Sequence, residues 1–277
     1  MTSATPDLRD FAGRLVLVGA GKMGSALLEG WLRFGLDPKH VAVLEPQPSP
    51  QIATLVSHGL LLNPELRALT DVAAVVIAVK PQTAAEAIPQ LKPLIGVSTV
   101  VVSIMAGRTL QFIAGALNAP CALVRAMPNT PAAIGRGITV AVPRDVNPAQ
   151  RELAQRLLCA TGTVEWTADE TLMDAVTAVS GSGPAYVFFL AEALAEAGVA
   201  AGLPPSLAAK LARETVAGSG ELLHRSELDA AVLRQNVTSP GGTTAAALDV
   251  LMGKDGLTQL MRNAVAAATK RSRELAG

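Results

Sequence analysis

A doubly wound α/β sheet followed by an all-α half is the fold class that this sequence predicts, and three observations predict it. Short β-branched runs alternate with helical stretches from residue 14 to about residue 166. A glycine-rich string follows the first of those runs. Beyond residue 167 the β-rich runs stop, and Ala, Leu and Glu take over. Alternation of the first kind builds a parallel sheet covered by helices, so the chain divides into a domain over 1–166 and a helical domain over 167–277, each of ordinary domain size.

The runs RLVLVG, HVAVLE, AAVVIAV, STVVVSI and CALVRAM are the predicted strands. Several are apolar without alternation, as strands buried on both faces are, and the helical stretches 24–34 and 109–117 supply crossovers. GITVAV at 137–142 adds a strand, placed at an edge. In the second half, Gly202-Leu-Pro-Pro205, Arg225-Ser226 and Ser239-Pro-Gly-Gly242 break the helices. The longest apolar stretch, 184–203, contains Glu192 and Glu196 and is predicted to be a buried helix, not a membrane span. Neither a fixed repeat nor a sustained heptad runs through it.

Composition excludes several functions. Basic and acidic residues balance at 23 each and no long Lys/Arg run is present, so neither nucleic acid nor a membrane surface is an expected partner. The opening MTSATPDLRDFAGR carries acids and lacks an apolar core, which reads as a loose lead-in to the first strand, without a secretory signal, and predicts a cytoplasmic protein. Cys121 and Cys159 fall in no CxxC or Cys/His cluster and are expected to be core thiols. His40, His58 and His224 lack metal-ligand spacing and no GxSxG elbow accompanies them, so no metal and no catalytic triad are expected.

Val18 ends the first run, and Gly19-Ala20-Gly21-Lys22-Met23-Gly24 joins it to a helix. In that position glycines permit a tight turn and let peptide N–H groups approach a pyrophosphate at the helix N-terminus, which makes the first domain a dinucleotide-binding, Rossmann-type one. About twenty residues further on, where this fold reads the adenine ribose, stands Glu45. A carboxylate there accepts from free ribose hydroxyls and repels a 2′-phosphate, which leans toward NADH. Lys80, after AAVVIAV, reads either as an acid catalyst or as a solvated charge at a helix start, with the second favoured.

Three further strings are more specific. Arg125-Ala-Met-Pro-Asn-Thr-Pro131, Ser180-Gly181-Ser182-Gly183-Pro184-Ala-Tyr186 and Val237-Thr-Ser239-Pro-Gly241-Gly242-Thr243-Thr244 closely resemble, in order and spacing, those of the Δ1-pyrroline-5-carboxylate reductase family. The resemblance spans nearly the whole chain. It implies a Rossmann domain, a helical domain forming an intertwined homodimer that in some members builds a decamer, and NAD(P)H-dependent reduction of pyrroline-5-carboxylate to L-proline, the last step of proline biosynthesis. Carried over by motif, Val18 to Met23, Asn63, Ala78, Val79, Lys80, Pro81, Ile104, Met105 and Ala106 would touch the NADP or NAD. The segment between Asn63 and Ala78 is slightly longer than the common pattern. Many relatives carry Ser or Arg where this chain has Glu45 and use NADPH, so either coenzyme stays open.

Such a substrate needs an anion holder, a protonated ring nitrogen and a hydride close by. Ser180 to Pro184 can hold the carboxylate through close-approaching backbone, a serine hydroxyl and the N–H groups of a starting helix, with Pro184 suited to its first turn. Val237, Ser239 and Gly241 to Thr244 would act from the second domain, where Thr244 hydrogen-bonds the ring nitrogen; its hydroxyl both donates and accepts. Tyr186 either packs or closes the pocket. Glu192 and Glu196, one turn apart, read as a solvated stripe. Two rivals remain: a Rossmann reductase for another cyclic imine or a hydroxyacid, and a non-catalytic nucleotide-sensing dimer. Lys210 lacks the surroundings that would activate it for hydroxyacid chemistry.

Overall fold

A computed structural model describes residues 7–276. The first six residues of the predicted lead-in therefore lie outside the described part. One sheet carries β1 (Arg14–Val18), β2 (Val41–Leu44), β3 (Leu61–Leu62), β4 (Val72–Ile77), β5 (Val100–Ser103), β6 (Ala122–Met127), β7 (Gly137–Arg144) and β8 (Gly162–Trp166). Their order is β3-β2-β1-β4-β5-β6-β7-β8, and every neighbouring pair is parallel except β6 with β7.

The five predicted runs are β1, β2, β4, β5 and β6. GITVAV is β7, but it is interior: β8 pairs with it in parallel and forms the edge, which corrects the expected placement. β8 reads GTVEW, too short and polar to announce itself, and β3 has two residues.

The helices of this part are α1 (Lys22–Arg33), α2 (Pro50–Leu55), α3 (Ala84–Gln90), α4 (Leu110–Leu117), α5 (Pro148–Cys159) and α6 (Met173–Val176). Side chains of β1 alternate between two cores. Leu15 and Leu17 meet Leu27, Leu28 and Trp31 of α1 and Leu157 and Leu158 of α5, while Val16 and Val18 meet Ile88 of α3 and Ile113 and Leu117 of α4. Period-two alternation between two buried faces is why the strand sequence looks uniformly apolar. Trp31 Nε1 donates to the Leu157 carbonyl at 2.8 Å, so the largest buried side chain leaves no unpaired donor. Thr109 caps α4 by accepting from Phe112 N–H at 3.1 Å.

The remaining helices are α7 (Gly183–Ala200), α8 (Pro205–Arg225), α9 (Ala230–Asn236), α10 (Thr243–Leu251) and α11 (Leu257–Ala276). All three predicted breaks fall between them; a fourth, from Met252 to Gly256, was not foreseen. The chain forms two compact units, one running up to Gly181 and resuming at Thr269, the other Ser182–Ala268. The division therefore differs from the expected 166/167. Both crossings occur in helical backbone, where no loop signal marks them: Thr177–Gly181 is a π-helical turn, Ser182 keeps helical dihedrals, and the return lies inside α11. Asp174 secures that return within the first unit, accepting from Ser272 Oγ at 2.7 Å and pairing with Arg273 at 3.8 Å.

Within the second unit, α7 and α8 pack through Gly198 and Ala208, and among its described residues only Ala208 and Ala212 are buried. The expectation of a buried helix over 184–203 is thus corrected: no residue of α7 is buried, and Phe188 and Phe189 are 63% and 68% exposed. The stretch Glu170–Ala200 is long and apolar enough to cross a membrane by length and composition alone. Its apolar side chains are too many for the interior that one helical unit provides.

Candidate functional site

At the C-terminal ends of β1, β2 and β4 a cavity of about 830 Å³ opens, a size suited to a substantial ligand. Its wall includes Val18, Gly19, Gly21, Glu45, Asn63, Ala78, Val79 and Lys80, all expected from the sequence. The fingerprint divides its labour as a pyrophosphate loop requires. Gly19 has φ +90° and lies against the Ala78 carbonyl, so the sharp turn is closed to other residues. Gly21 has no neighbour near its missing side chain and caps α1 with no side-chain bond, which leaves the helix N-terminus open to an anion. A Cβ on Gly24 would overlap the Gly19 carbonyl oxygen, so the third glycine lets helix and strand meet.

Glu45 is tied to this loop. Its Oε2 accepts from Ala20 N–H at 2.8 Å and its Oε1 from Gln47 N–H at 3.0 Å. Asn63, left-handed at φ +48°, grips the Glu45 peptide from both sides: Oδ1 accepts from Glu45 N–H at 2.8 Å, and Nδ2 donates to the Glu45 carbonyl at 2.9 Å. Lys80 is exposed on this wall, just past the end of β4.

Other expected contacts lie off this wall. Lys22 and Met23 begin α1, Ala20 is buried, and the Pro81 carbonyl accepts from Arg108 Nε at 3.2 Å and Nη2 at 2.9 Å. Ile104, Met105 and Ala106 follow β5, one strand beyond β4, with Ile104 and Met105 buried. The wall also contains residues that the sequence reading did not single out: Gln47, and Thr83, Ala87, Gln90 and Leu91 along α3 and its flanks. The four-residue step from Thr83 to Ala87, continued at Gln90 and Leu91, was the available signal for a helix face.

The three specific strings fall as follows. Arg125 on β6 is 5% exposed and donates from Nη1 to Glu170 Oε1 at 2.8 Å, an oxygen that also accepts from Leu110 N–H at 2.8 Å. Met127, at the end of β6, lies beside Gly181, where a Cβ would come within 2.5 Å of its Cε. Ser180 Oγ donates to the Val176 carbonyl at 3.0 Å, so the hydroxyl proton that the sequence reading offered to a ligand is already used. Pro184 does stand in the first turn of α7, but that turn continues a π-helical one and is not an open helix start.

An open start is found at α10. Gly242 N–H donates to the Ser239 carbonyl at 3.0 Å, closing the Ser-Pro-Gly-Gly turn with Gly241 at φ +67°. Gly242 then caps α10 without a side-chain bond, with Thr243 and Thr244 in its first turn and Thr244 half-buried. Val237, which precedes the turn, is exposed. Glu192 and Glu196 are exposed on α7. Cys121 and Cys159 are half-buried and pack against the two cores, where burial raises both thiols above the ordinary value. Among the described residues no group of three His, Cys, Asp or Glu side chains could hold a metal.

Comparison with known proteins agrees with these features. Residues 170–275 match the family described as pyrroline-5-carboxylate reductase dimerisation, and 14–107 match one described as NADP oxidoreductase coenzyme F420-dependent. The pyrroline-5-carboxylate reductase of Mycobacterium leprae is 40% identical over 285 residues, covering 95% of this chain and 96% of that protein. Among solved structures, a pyrroline-5-carboxylate reductase from Coxiella burnetii superimposes with a TM-score of 0.88 at 32% identity, covering 96% of this chain and 99% of its own. Plasmodium falciparum pyrroline carboxylate reductase with NADP bound gives 0.80 at 29% identity, covering 96% and 98%. The helical unit is accordingly a self-association domain, and the first unit binds a nicotinamide dinucleotide.

Proposed function

The chain belongs to the pyrroline-5-carboxylate reductase family, and on that premise we propose that it reduces the ring C=N of Δ1-pyrroline-5-carboxylate to give L-proline, the last step of proline biosynthesis. The observation that carries this reading is that a fingerprint crevice and both substrate strings occur intact in one chain. A nucleotide sensor would need no substrate strings, and a hydroxyacid enzyme would need an activated lysine that neither string supplies.

NADH or NADPH supplies the hydride when bound in the crevice. The chain's own groups do the rest. Gly21 and the start of α1 receive the pyrophosphate, and Glu45 and Asn63 flank the ribose end. Ser180 uses its hydroxyl proton within its own helix. Holding the substrate carboxylate therefore falls to Ser182 and the backbone of Gly181, Gly183 and Pro184, and Val237, Ser239, Gly241, Gly242 and Thr243 are the further substrate contacts that their string implies. Thr244, in the uncapped first turn of α10, hydrogen-bonds the ring nitrogen. The alcohol proton is too tightly held for strong acid catalysis, so the nitrogen is protonated from solvent before hydride reaches the ring carbon, and Thr244 orients and stabilises.

The proposal extends to an intertwined homodimer able to assemble into decamers, and to a cytoplasmic setting. The test is oxidation of each reduced coenzyme with pyrroline-5-carboxylate, a six-membered analogue, and simple hydroxy- and keto-acids. The five-membered imine is expected to be the preferred substrate. Thr244→Ala should lower turnover by roughly tenfold to a hundredfold, the scale of one hydrogen bond to a charged group, with coenzyme affinity nearly unchanged. Full activity of that variant would remove Thr244 from the reaction.

A further inference from the structure

Glu45 and Asn63 form one device at the ribose end of the crevice. The carboxylate is held across 25 residues of sequence by Ala20 N–H of the glycine loop, and again by Gln47 N–H. A carboxylate has about four lone-pair positions, so two such bonds leave room for two more donors. The peptide of Glu45 is fixed independently by both ends of the Asn63 amide. Asn63 reaches that grip only through a left-handed backbone, which Asn tolerates better than other side-chain-bearing residues. The wall near this carboxylate holds no arginine; its one base, Lys80, follows β4, on the far side of β1 from β2.

We infer that Asn63 sets coenzyme choice in this chain: by gripping the Glu45 peptide it fixes a carboxylate that accepts from the 2′- and 3′-hydroxyls of NADH and repels the 2′-phosphate of NADPH. The inference rests on the nucleotide crevice proposed above, but not on the identity of the imine. Asn63 acts here as a positioning residue. The sheet brings it to Glu45 because β3 lies beside β2, and Asn63 N–H donates to the Val43 carbonyl at 2.8 Å just past the end of β3. Loosening the grip lets the Glu45 peptide shift, so that the carboxylate held by Ala20 and Gln47 N–H groups is no longer fixed at the ribose, which weakens NADH and relieves the repulsion of NADPH together.

Asn63→Gly keeps the left-handed backbone and removes the amide, so it separates the grip from the fold. The readout is the ratio of kcat/KM for NADPH to that for NADH, alongside direct titration of each nucleotide without imine. Glu45→Ala is expected to raise the ratio by roughly tenfold or more, the scale of a bond to a charged group. Asn63→Gly should raise it severalfold, and adding it to Glu45→Ala should change nothing further, because it works through that carboxylate. An unchanged ratio in Asn63→Gly, an equal loss with both coenzymes, or a shift that persists without Glu45 would each overturn the inference. If pyrroline-5-carboxylate is not reduced, the titrations still read coenzyme choice, and only the substrate assignment fails.

Discussion

The two units solve the problem of hiding apolar surface in opposite ways. The nucleotide-binding unit closes two cores within one chain, one on each face of its sheet, with Trp31, Leu15, Leu17, Ile77 and Ile88 fully buried. The helical unit buries Ala208 and Ala212 and leaves Phe188, Phe189, Leu190 and Leu211 largely open. The first closes its cores inside the chain, whereas the second leaves apolar surface open, in accord with its match to a dimerisation family.

Three measurements would break or sharpen that contrast. The largest effect is expected from Phe188→Asp combined with Phe189→Asp. Two aromatic side chains from each copy are worth more than about 4 kcal/mol of association, roughly a thousandfold in the constant. Sedimentation velocity should show monomers, and the dependence of thermal midpoint on protein concentration should disappear. A variant that stays associated would place the contact elsewhere on the helices.

Next comes Arg125→Ala. It leaves the Glu170 carboxylate, 29% exposed and still bonded by Leu110 N–H, without its guanidinium partner, at a cost of about 2 kcal/mol. Urea unfolding should register that loss in the nucleotide unit at any protein concentration. A loss that vanished at high concentration would mean that this unit too depends on the partner.

The smallest effect concerns the thiols. Burial raises both Cys121 and Cys159, so the folded chain favours the neutral thiol more than the unfolded chain does. Their contribution to stability is complete below the ordinary thiol value, about pH 9, and falls as pH rises from there toward the folded values. Unfolding midpoints measured across that range should decline less steeply in the Cys121→Ala, Cys159→Ala protein. Equal slopes would show that the half-buried sites are as wet as the unfolded chain.

Much of the nucleotide unit was legible because its signals are local. A fingerprint after a strand, apolar runs of strand length and a helical stretch over 109–117 each work within a few residues. What escaped depends on distance. Nothing in Leu44-Glu-Pro says that Glu45 will reach back to Ala20, or that Asn63 will grip its peptide. β8 was missed because its polar alternation is that of an edge, and β7 was misplaced as a consequence. The misreading of α7 has a different origin. An apolar helix fits the interior of its own chain and an interface with another copy equally well, and the sequence of one copy does not separate the two. The unit boundary was hidden because linkers are recognised by loop composition, and here the chain passes from unit to unit in helical backbone.

The bond from Ser272 to Asp174 makes the helical unit topologically an insertion: the nucleotide-binding unit is assembled from two stretches of chain that the insertion separates. A single cut at Gly181 cannot therefore release that unit whole. Such a fragment would lack both the hydroxyl that pairs with Asp174 and Leu275, which lies against Gly107 just past β5. Synthesis from the ribosome meets the same constraint in time, because those contacts with α6 and the turn after β5 form only after the dimerising helices have been made.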